Sequence, residues 1–236
     1  MIRIAMISGP RNISTTMMRA FENRSDTIVH DEPFYACYLN QSGARHPMRE
    51  DILNAQSVEW AEVTNTLNSA YDENSEYSFE KHIGFHFSGA PLNWIEGARA
   101  FHLIRNPRAM VASYANKFDD VSPIIDSYRM QRQIDQRLDT PCPVIDARDV
   151  LQNPEAMLRT LCEALDISFS KAMLSWPKGP RDSDGVWGPH WYDGVIASTG
   201  FNPYSEKPIS LSPALEKIAD ACMEDYEFFH GRRLTI

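Results

Sequence analysis

The sequence predicts a three-layer α/β fold built on a central parallel sheet. Three observations carry this. Short apolar runs recur along the chain, amphipathic stretches alternate with them, and the first run breaks at Ser8-Gly9-Pro10 just before a helical pattern. Such alternation buries a parallel sheet under helices on both faces, and ligands then sit beyond the carboxyl ends of the strands.

Ile2 to Ile7 is short, apolar and partly β-branched, and reads as a buried strand. Ser14 to Asn23 reads as a helix, with Ser14 as its N-cap and Met17, Met18 and Phe21 on one face. Thr27 to Val29 is a second strand, running into His30-Asp31-Glu32-Pro33. Residues 35–78 are polar and mixed, helical in parts from Arg49 to Tyr71, and are expected to form a helical cap over the site. Phe79 to Phe87 is expected as the third strand. Ala100 to Ile104 is the fourth, ending at Arg105-Asn106-Pro107, with a helix from Arg108 to about Asn116. Pro143 to Asp146 is the fifth strand. Pro154 to Leu165 is an amphipathic helix, with Met157, Leu158, Leu161 and Leu165 in one stripe. Residues 176–208 are rich in Gly and Pro and lack periodicity. Trp176, Trp187 and Trp191 mark the stretch as an ordered loop lying over the site, because disordered tracts are poor in aromatics and long ordered loops are usually functional. Pro213 to Phe229 is a closing helix. Residues 1–236 are expected to form a single domain.

Composition narrows the function classes. The net charge is −9, with 23 Lys and Arg against 32 Asp and Glu, which argues against a nucleic-acid binder with a broad basic face. A basic pocket in so acidic a chain is a device for concentrating anions. No apolar run approaches the ~20 residues of a membrane span, and Met1 to Ser8 reads better as a strand than as a leader. The four cysteines, Cys37, Cys142, Cys162 and Cys222, form no CxxC pair. That argues against a zinc site or a disulfide framework and fits a reducing, cytoplasmic compartment.

Two loops carry the chemistry. Pro10-Arg11-Asn12-Ile13-Ser14-Thr15-Thr16 joins a strand to a helix, the layout of an anion cradle. Amides at a helix start carry partial positive charge, Ser14, Thr15 and Thr16 add hydroxyls, and Arg11 adds a fork suited to phosphate or sulfate oxygens. The pattern lacks the Lys of GxxxxGK[ST]. The second loop, Ile104-Arg105-Asn106-Pro107-Arg108, ends a strand in a cation where a nucleoside triphosphatase places a metal-binding Asp. No metal is expected there. Ser113 follows Arg105 by eight residues, so a loop folded back over the helix start brings both to one phosphate.

These segments resemble the sulfotransferases. Ile104-Arg105-Asn106-Pro107-Arg108 through Ser113-Tyr114 is similar to their 3′-phosphate-binding segment, Pro10 to Thr16 to their 5′-phosphosulfate loop, and Lys178-Gly179 with Gly185 and Trp187 loosely to the loop that closes over the nucleotide. Arg11 replaces a frequent Lys and Ile13 a frequent Gly. The resemblance implies a P-loop-containing nucleotide-hydrolase-like fold. It also implies transfer of a sulfuryl group from 3′-phosphoadenosine-5′-phosphosulfate to a hydroxyl or amine of a small acceptor. Arg11, Asn12, Ser14, Thr15 and Thr16 would hold the 5′ end, Arg105 and Ser113 the 3′-phosphate, with Lys178 a further candidate. The base that takes the acceptor proton is sought among Glu32, its neighbour Asp31, His82 and His86. The two histidines are expected on one face of one strand, and Arg11 would act by charge alone. Trp187, His190, Trp191 and Tyr192 in the loop, and Tyr35, Tyr38 and Trp60 in the cap, are candidates to line an acceptor pocket. Two other readings stay open: a catalytically inactive nucleotide- or phosphate-binding protein, and a P-loop kinase-like phosphotransferase.

Overall fold

The computed structural model describes residues 1–206 and 208–236. In chain order its elements are β1 (Ile2–Ser8), α1 (Ser14–Glu22), β2 (Thr27–Asp31), α2 (Tyr35–Ser42), α3 (Arg49–Ala55), α4 (Trp60–Ser69), β3 (Tyr77–Ile83), β4 (Arg99–Ile104), α5 (Pro107–Ala115) and α6 (Pro123–Arg137). There follow β5 (Val144–Asp146), α7 (Ala147–Gln152), α8 (Pro154–Ala164), α9 (Gly188–Trp191), α10 (Asp193–Ile196), α11 (Pro213–Ala221) and α12 (Met223–His230). The five strands form one parallel sheet in the order β2-β3-β1-β4-β5. The three-layer α/β fold expected from the sequence is the fold observed.

The period-two alternation of β1 divides the core. Ile4 and Met6 join a cluster with Met17, Met18 and Phe21 of α1 and Leu158 and Leu161 of α8. Ala5 and Ile7 face the other way, onto Val63 and Leu67 of α4 and Met130 and Ile134 of α6. A central strand buried on both faces needs this nearly unbroken apolar run. Arg3 interrupts it, and its charge is met by Glu80 of β3 on the same face, Nε to Oε1 at 2.6 Å.

Several boundaries differ from expectation. The third strand ends at Ile83, and Gly84–Phe87 is a 3₁₀ turn. A Cβ on Gly84 would lie 2.5 Å from the Ser127 carbonyl oxygen, so α6 packs directly on this turn and bends the chain off the sheet. The N-cap of α1 is Ile13, in left-handed conformation at φ 50°, and Ser14 is already the first helical residue. Only part of 35–78 borders the site. α2 and α3 pack with Trp187 and Tyr192, whereas α4 packs with the core beneath the sheet. The closing helix is broken at Cys222 into α11 and α12. The 15-residue α6 was not read from the sequence. All four cysteines are buried and free. Among the described residues no helix is long and apolar enough to cross a membrane.

Candidate functional site

A cleft of about 1020 Å³ opens beyond the carboxyl ends of the strands. It lies beside β1, where the connection from β3 to β4 crosses from one side of that strand to the other, the position at which open parallel sheets bind ligands. A hollow of about 180 Å³ between Asp149 and Arg233 holds none of the predicted groups.

At one end of the cleft the two predicted loops meet. The Arg11 Nε donates to Ser113 Oγ at 3.2 Å, and the Arg105 Nη1 donates to the Arg11 carbonyl oxygen. Ser14, Thr15 and Thr16 line the same end. Two guanidinium groups thus converge, and among the described residues neither has a carboxylate within ion-pair distance. Burial, and then the nearby Arg11, depress the Arg105 pKa below the ordinary arginine value. The start of α1 has no side-chain cap and no acidic residue in its first turn. Its free amides and the two arginines present hydrogen-bond donors at this end of the cleft, an arrangement able to hold an anion. The start of α5 differs, because the Asn106 side chain accepts from the Arg108 and Ala109 amides.

Asn12 lines the cleft, and its side-chain amide ties the loop down. Its Nδ2 donates to the Leu103 carbonyl oxygen at 2.6 Å, tying the cradle to β4 and leaving its buried Oδ1 without a partner. Lys178 is exposed and lies outside the cleft lining, so the structure does not bring it to the arginines. Its loop is held elsewhere: buried Arg19 of α1 binds both Asp184 oxygens at 2.6 Å, and Ser183 donates to Glu22.

At the other end stand the candidate bases. Glu32 follows β2 in left-handed conformation, φ 44°, and lines the cleft. That strained backbone is held by its amide donating to the Lys81 carbonyl at 2.9 Å and its carbonyl accepting from the Tyr35 amide at 3.0 Å. Its Oε1 accepts from Lys81 Nζ at 2.5 Å, and Oε2 lies 3.8 Å from His86 Nε2. Burial raises the Glu32 pKa, Lys81 opposes this, and the charge of Asp31 adds to the rise. Asp31 points away from the cleft and accepts from Lys81, Tyr192 and the Gly185 amide. A buried carboxylate whose pKa is driven upward and which still faces the cleft is suited to act as a proton acceptor.

The histidines separate. His82 lies on the opposite face of the sheet, bonded to Glu80 at 3.1 Å and packed on Trp94, and does not reach the cleft. The reason is strand periodicity: β3 turns residue 82 to the face of residue 80, and His86 lies beyond the strand on the 3₁₀ turn. His86 lines the cleft, stacked between Tyr35 at 4.3 Å and Tyr38 at 5.0 Å, and burial holds its pKa well below the ordinary histidine value.

Lys81 was not singled out in the sequence. Its signal was the adjacent Glu80-Lys81 pair inside a strand, where alternation puts one charge on each face. Aromatic side chains complete the walls. Phe118 stacks on Tyr114 at 4.3 Å and on Trp191 at 4.9 Å, facing the Tyr35–His86–Tyr38 stack around the same cleft. Trp187 and Tyr192 also line it, whereas His190 and Trp60 do not. Among the described residues one further cluster of metal-capable side chains, His102, Asp135 and Cys142, is buried elsewhere, and Arg232 Nη2 lies 2.5 Å from Asp135 there.

A family model described as "Sulfotransferase domain" matches residues 2–232. The branched-chain-amino-acid aminotransferase-like protein 2 of Arabidopsis thaliana is 31% identical over 226 residues, which cover 93% of this chain and 40% of that protein. The chain therefore spans about two fifths of that relative's length. The solved structure of a sulfotransferase from Alicyclobacillus acidocaldarius superposes with a TM-score of 0.60 at 10% identity, over 99% of this chain and 97% of that one. A mouse sulfotransferase complexed with PAP gives 0.51 at 8% identity, over 98% and 85%. At such identities the likeness to solved structures is one of fold.

Proposed function

The chain belongs to the sulfotransferase domain family, and from that premise we propose that it moves a sulfuryl group from 3′-phosphoadenosine-5′-phosphosulfate to a hydroxyl or amine of a small acceptor. The observation that carries the reading is the pair of arginines, Arg11 and Arg105, drawn together with Ser113 at an uncapped helix start with no carboxylate in ion-pair distance among the described residues. The mouse relative in fold is complexed with PAP, the bisphosphate that such a transfer leaves behind.

In this reading the α1 amides, the hydroxyls of Ser14, Thr15 and Thr16, and Arg11 hold the 5′-phosphosulfate, and Arg105 with Ser113 holds the 3′-phosphate. Glu32 takes the acceptor proton as the acceptor oxygen or nitrogen bonds to sulfur and the bond from sulfur to the 5′-phosphate oxygen breaks. Arg11 offsets the charge left on that phosphate without giving up a proton. The aromatic walls hold the acceptor in line, which is where positioning contributes most. Residues 1–236 act as one sulfotransferase-like unit.

Calorimetry with 3′-phosphoadenosine-5′-phosphate in the absence of Mg²⁺ tests the reading. Micromolar binding that disappears in Arg105→Ala, with Mg-ATP weak, is the expected result. Preference for Mg-ATP, or no binding to either, overturns it. Binding with no transfer to any acceptor in a broad screen favours the inactive-binder reading, for which Ile13 in the cradle is the one structural argument.

A further inference from the structure

We propose that Asp31 and Tyr192 are positioning residues that join the reacting base, Glu32, to the segment 185–192 lying over the cleft, with Lys81 as the joint between them. The inference rests on Glu32 being the base in the reading above, and it gives Asp31, Lys81 and the Tyr192 hydroxyl roles that the reading does not assign them.

The geometry is closed and specific. Lys81 is buried, and its ammonium has three protons and three acceptors: Asp31 Oδ1 at 2.7 Å, Glu32 Oε1 at 2.5 Å and Tyr192 Oη at 2.8 Å. The Tyr192 hydroxyl donates to Asp31, 2.8 Å from Oδ2 and 3.0 Å from Oδ1, and accepts from the Trp187 indole at 2.8 Å. The Gly185 amide donates to Asp31 Oδ2 at 3.0 Å. Residues 185, 187 and 192 of one loop therefore enter a single buried set with the end of β2 and the middle of β3. The fit leaves little latitude, since a Cβ on Gly185 would fall 2.2 Å from the Trp187 ring.

The charges make this set more than a brace. Two carboxylates share one ammonium, so each competes with the other for Lys81. Around Glu32 stand Lys81 and Asp31 from the sheet, His86 from the turn, Tyr35 from α2, Tyr114 from α5 and Tyr192 from the loop. Of these, Lys81 and Asp31 carry charge, because burial keeps His86 neutral and the tyrosines protonated. Burial is the first cause that keeps Glu32 basic, Asp31 is the like charge that adds to it, and Tyr192 fixes where that charge sits.

The test is a titration of Glu32 itself, by carbon-13 NMR of protein labelled at glutamate carboxyls, with the resonance assigned by Glu32→Gln. Asp31→Asn keeps the shape and removes the competing charge, so the Glu32 midpoint is expected to move to lower pH by about half a unit or more, with the acid limb of kcat/KM following it. Tyr192→Phe keeps both carboxylates and is expected to speed amide hydrogen exchange over residues 185–192 roughly fivefold, the effect of one ordinary hydrogen bond. In an Asp31→Asn background the same substitution is expected to have a clearly smaller effect, because both act through one contact. A Glu32 midpoint unmoved in Asp31→Asn overturns the proposal, as does full additivity of the two exchange effects. Should Asp31→Asn not fold, an unchanged exchange rate in Tyr192→Phe overturns it alone. The midpoint and the exchange rates need no turnover. A shifted midpoint in a protein that transfers nothing would sink the reading above and leave only the link of Asp31 and Tyr192 to the Glu32 carboxylate, and transfer activity with an unmoved midpoint would overturn this proposal and leave the reading above intact.

Discussion

Residues 80 and 81 are neighbours on β3, yet their side chains end in two buried ionic networks of different kinds. On one face Glu80 binds Arg3 through both oxygens, at 2.6 and 3.0 Å, accepts from His82, and is fully enclosed, while Arg3 also donates to Asn68 and to the Trp94 carbonyl. One anion meets one cation there. On the other face Lys81 is shared by Asp31 and Glu32, and Glu32 opens on the cleft. One cation meets two anions. Burial opposes the Glu80 charge, but the bonds from His82 and Arg3 hold its pKa below the ordinary carboxylate value, whereas the Glu32 pKa is driven up. A balanced, sealed network holds a fold together, and an unbalanced one at a cleft keeps a carboxylate ready to change its charge.

A matched pair of substitutions breaks this comparison most strongly. Glu32→Gln is expected to lower kcat about 10²–10⁴-fold, as loss of a general base does, while the melting temperature holds or rises because the excess anion is gone. Glu80→Gln strands the Arg3 guanidinium in the core and is expected to cost about 3–5 kcal/mol of stability, with turnover per folded molecule unchanged. Enzyme assays beside thermal and urea melts read both. Exchange of these outcomes between the two variants would invert the assignment of roles.

The pH dependence of stability sharpens the same contrast with a smaller effect. Burial lowers the pKa of His82 on the sealed face and of His86 at the cleft, both from an ordinary value of 6.5. As pH falls through 6.5 the unfolded chain takes up protons that the folded chain does not, so stability is lost, by up to about 1.4 kcal/mol per pH unit for each histidine. Glu32 acts with the opposite sign: its raised pKa makes the folded state hold a proton more readily, so its contribution is recovered as pH falls. Urea midpoints between pH 7 and 5 are expected to decline in the wild type and to decline less in His82→Gln. The pH profile of catalysis should be unmoved in that variant. A profile that shifts would place His82 in the reaction.

Much of this was legible in the sequence, for physical reasons that can be named. The cradle and the Arg105 segment showed because a strand that stops before Pro10-Arg11 or Arg105-Asn106-Pro107 presents those residues at the carboxyl end of the sheet. Glu32 showed for the same reason. The Lys81 network was hidden because it joins residues 31, 81, 185 and 192, a closure that only the tertiary fold makes. The pairing of His82 with His86 failed because the sequence does not reveal where β3 ends. That end is set by the contact of Gly84 with α6, a helix that was itself unread. Lys178 was carried by a loose motif, and the loop is instead fixed by Arg19 and Asp184, two charges far apart in the chain.

The smallest expected effect concerns the backbone on the cleft side. Of the four non-glycine residues with positive φ among the described residues, three, Arg11, Ile13 and Glu32, border the cleft, and none belongs to the sealed network around Glu80. Ile13 is the least suited of them, since a β-branched residue in left-handed conformation is strained by roughly 1–2 kcal/mol. Its side chain offsets part of that by packing on the core of Met17, Phe21 and Phe79. Ile13→Gly removes the strain and the packing together, so its stability is expected within about 1 kcal/mol of the wild type. Ile13→Ala loses most of the packing and keeps the strain, so it is expected to be the less stable of the two although it is the larger residue. Binding of 3′-phosphoadenosine-5′-phosphate should be retained in both, because the α1 amides and Arg11 are untouched. An Ala variant more stable than the Gly variant would mean that residue 13 does not hold its left-handed conformation, and the geometry of the cradle would have to be redrawn from that point.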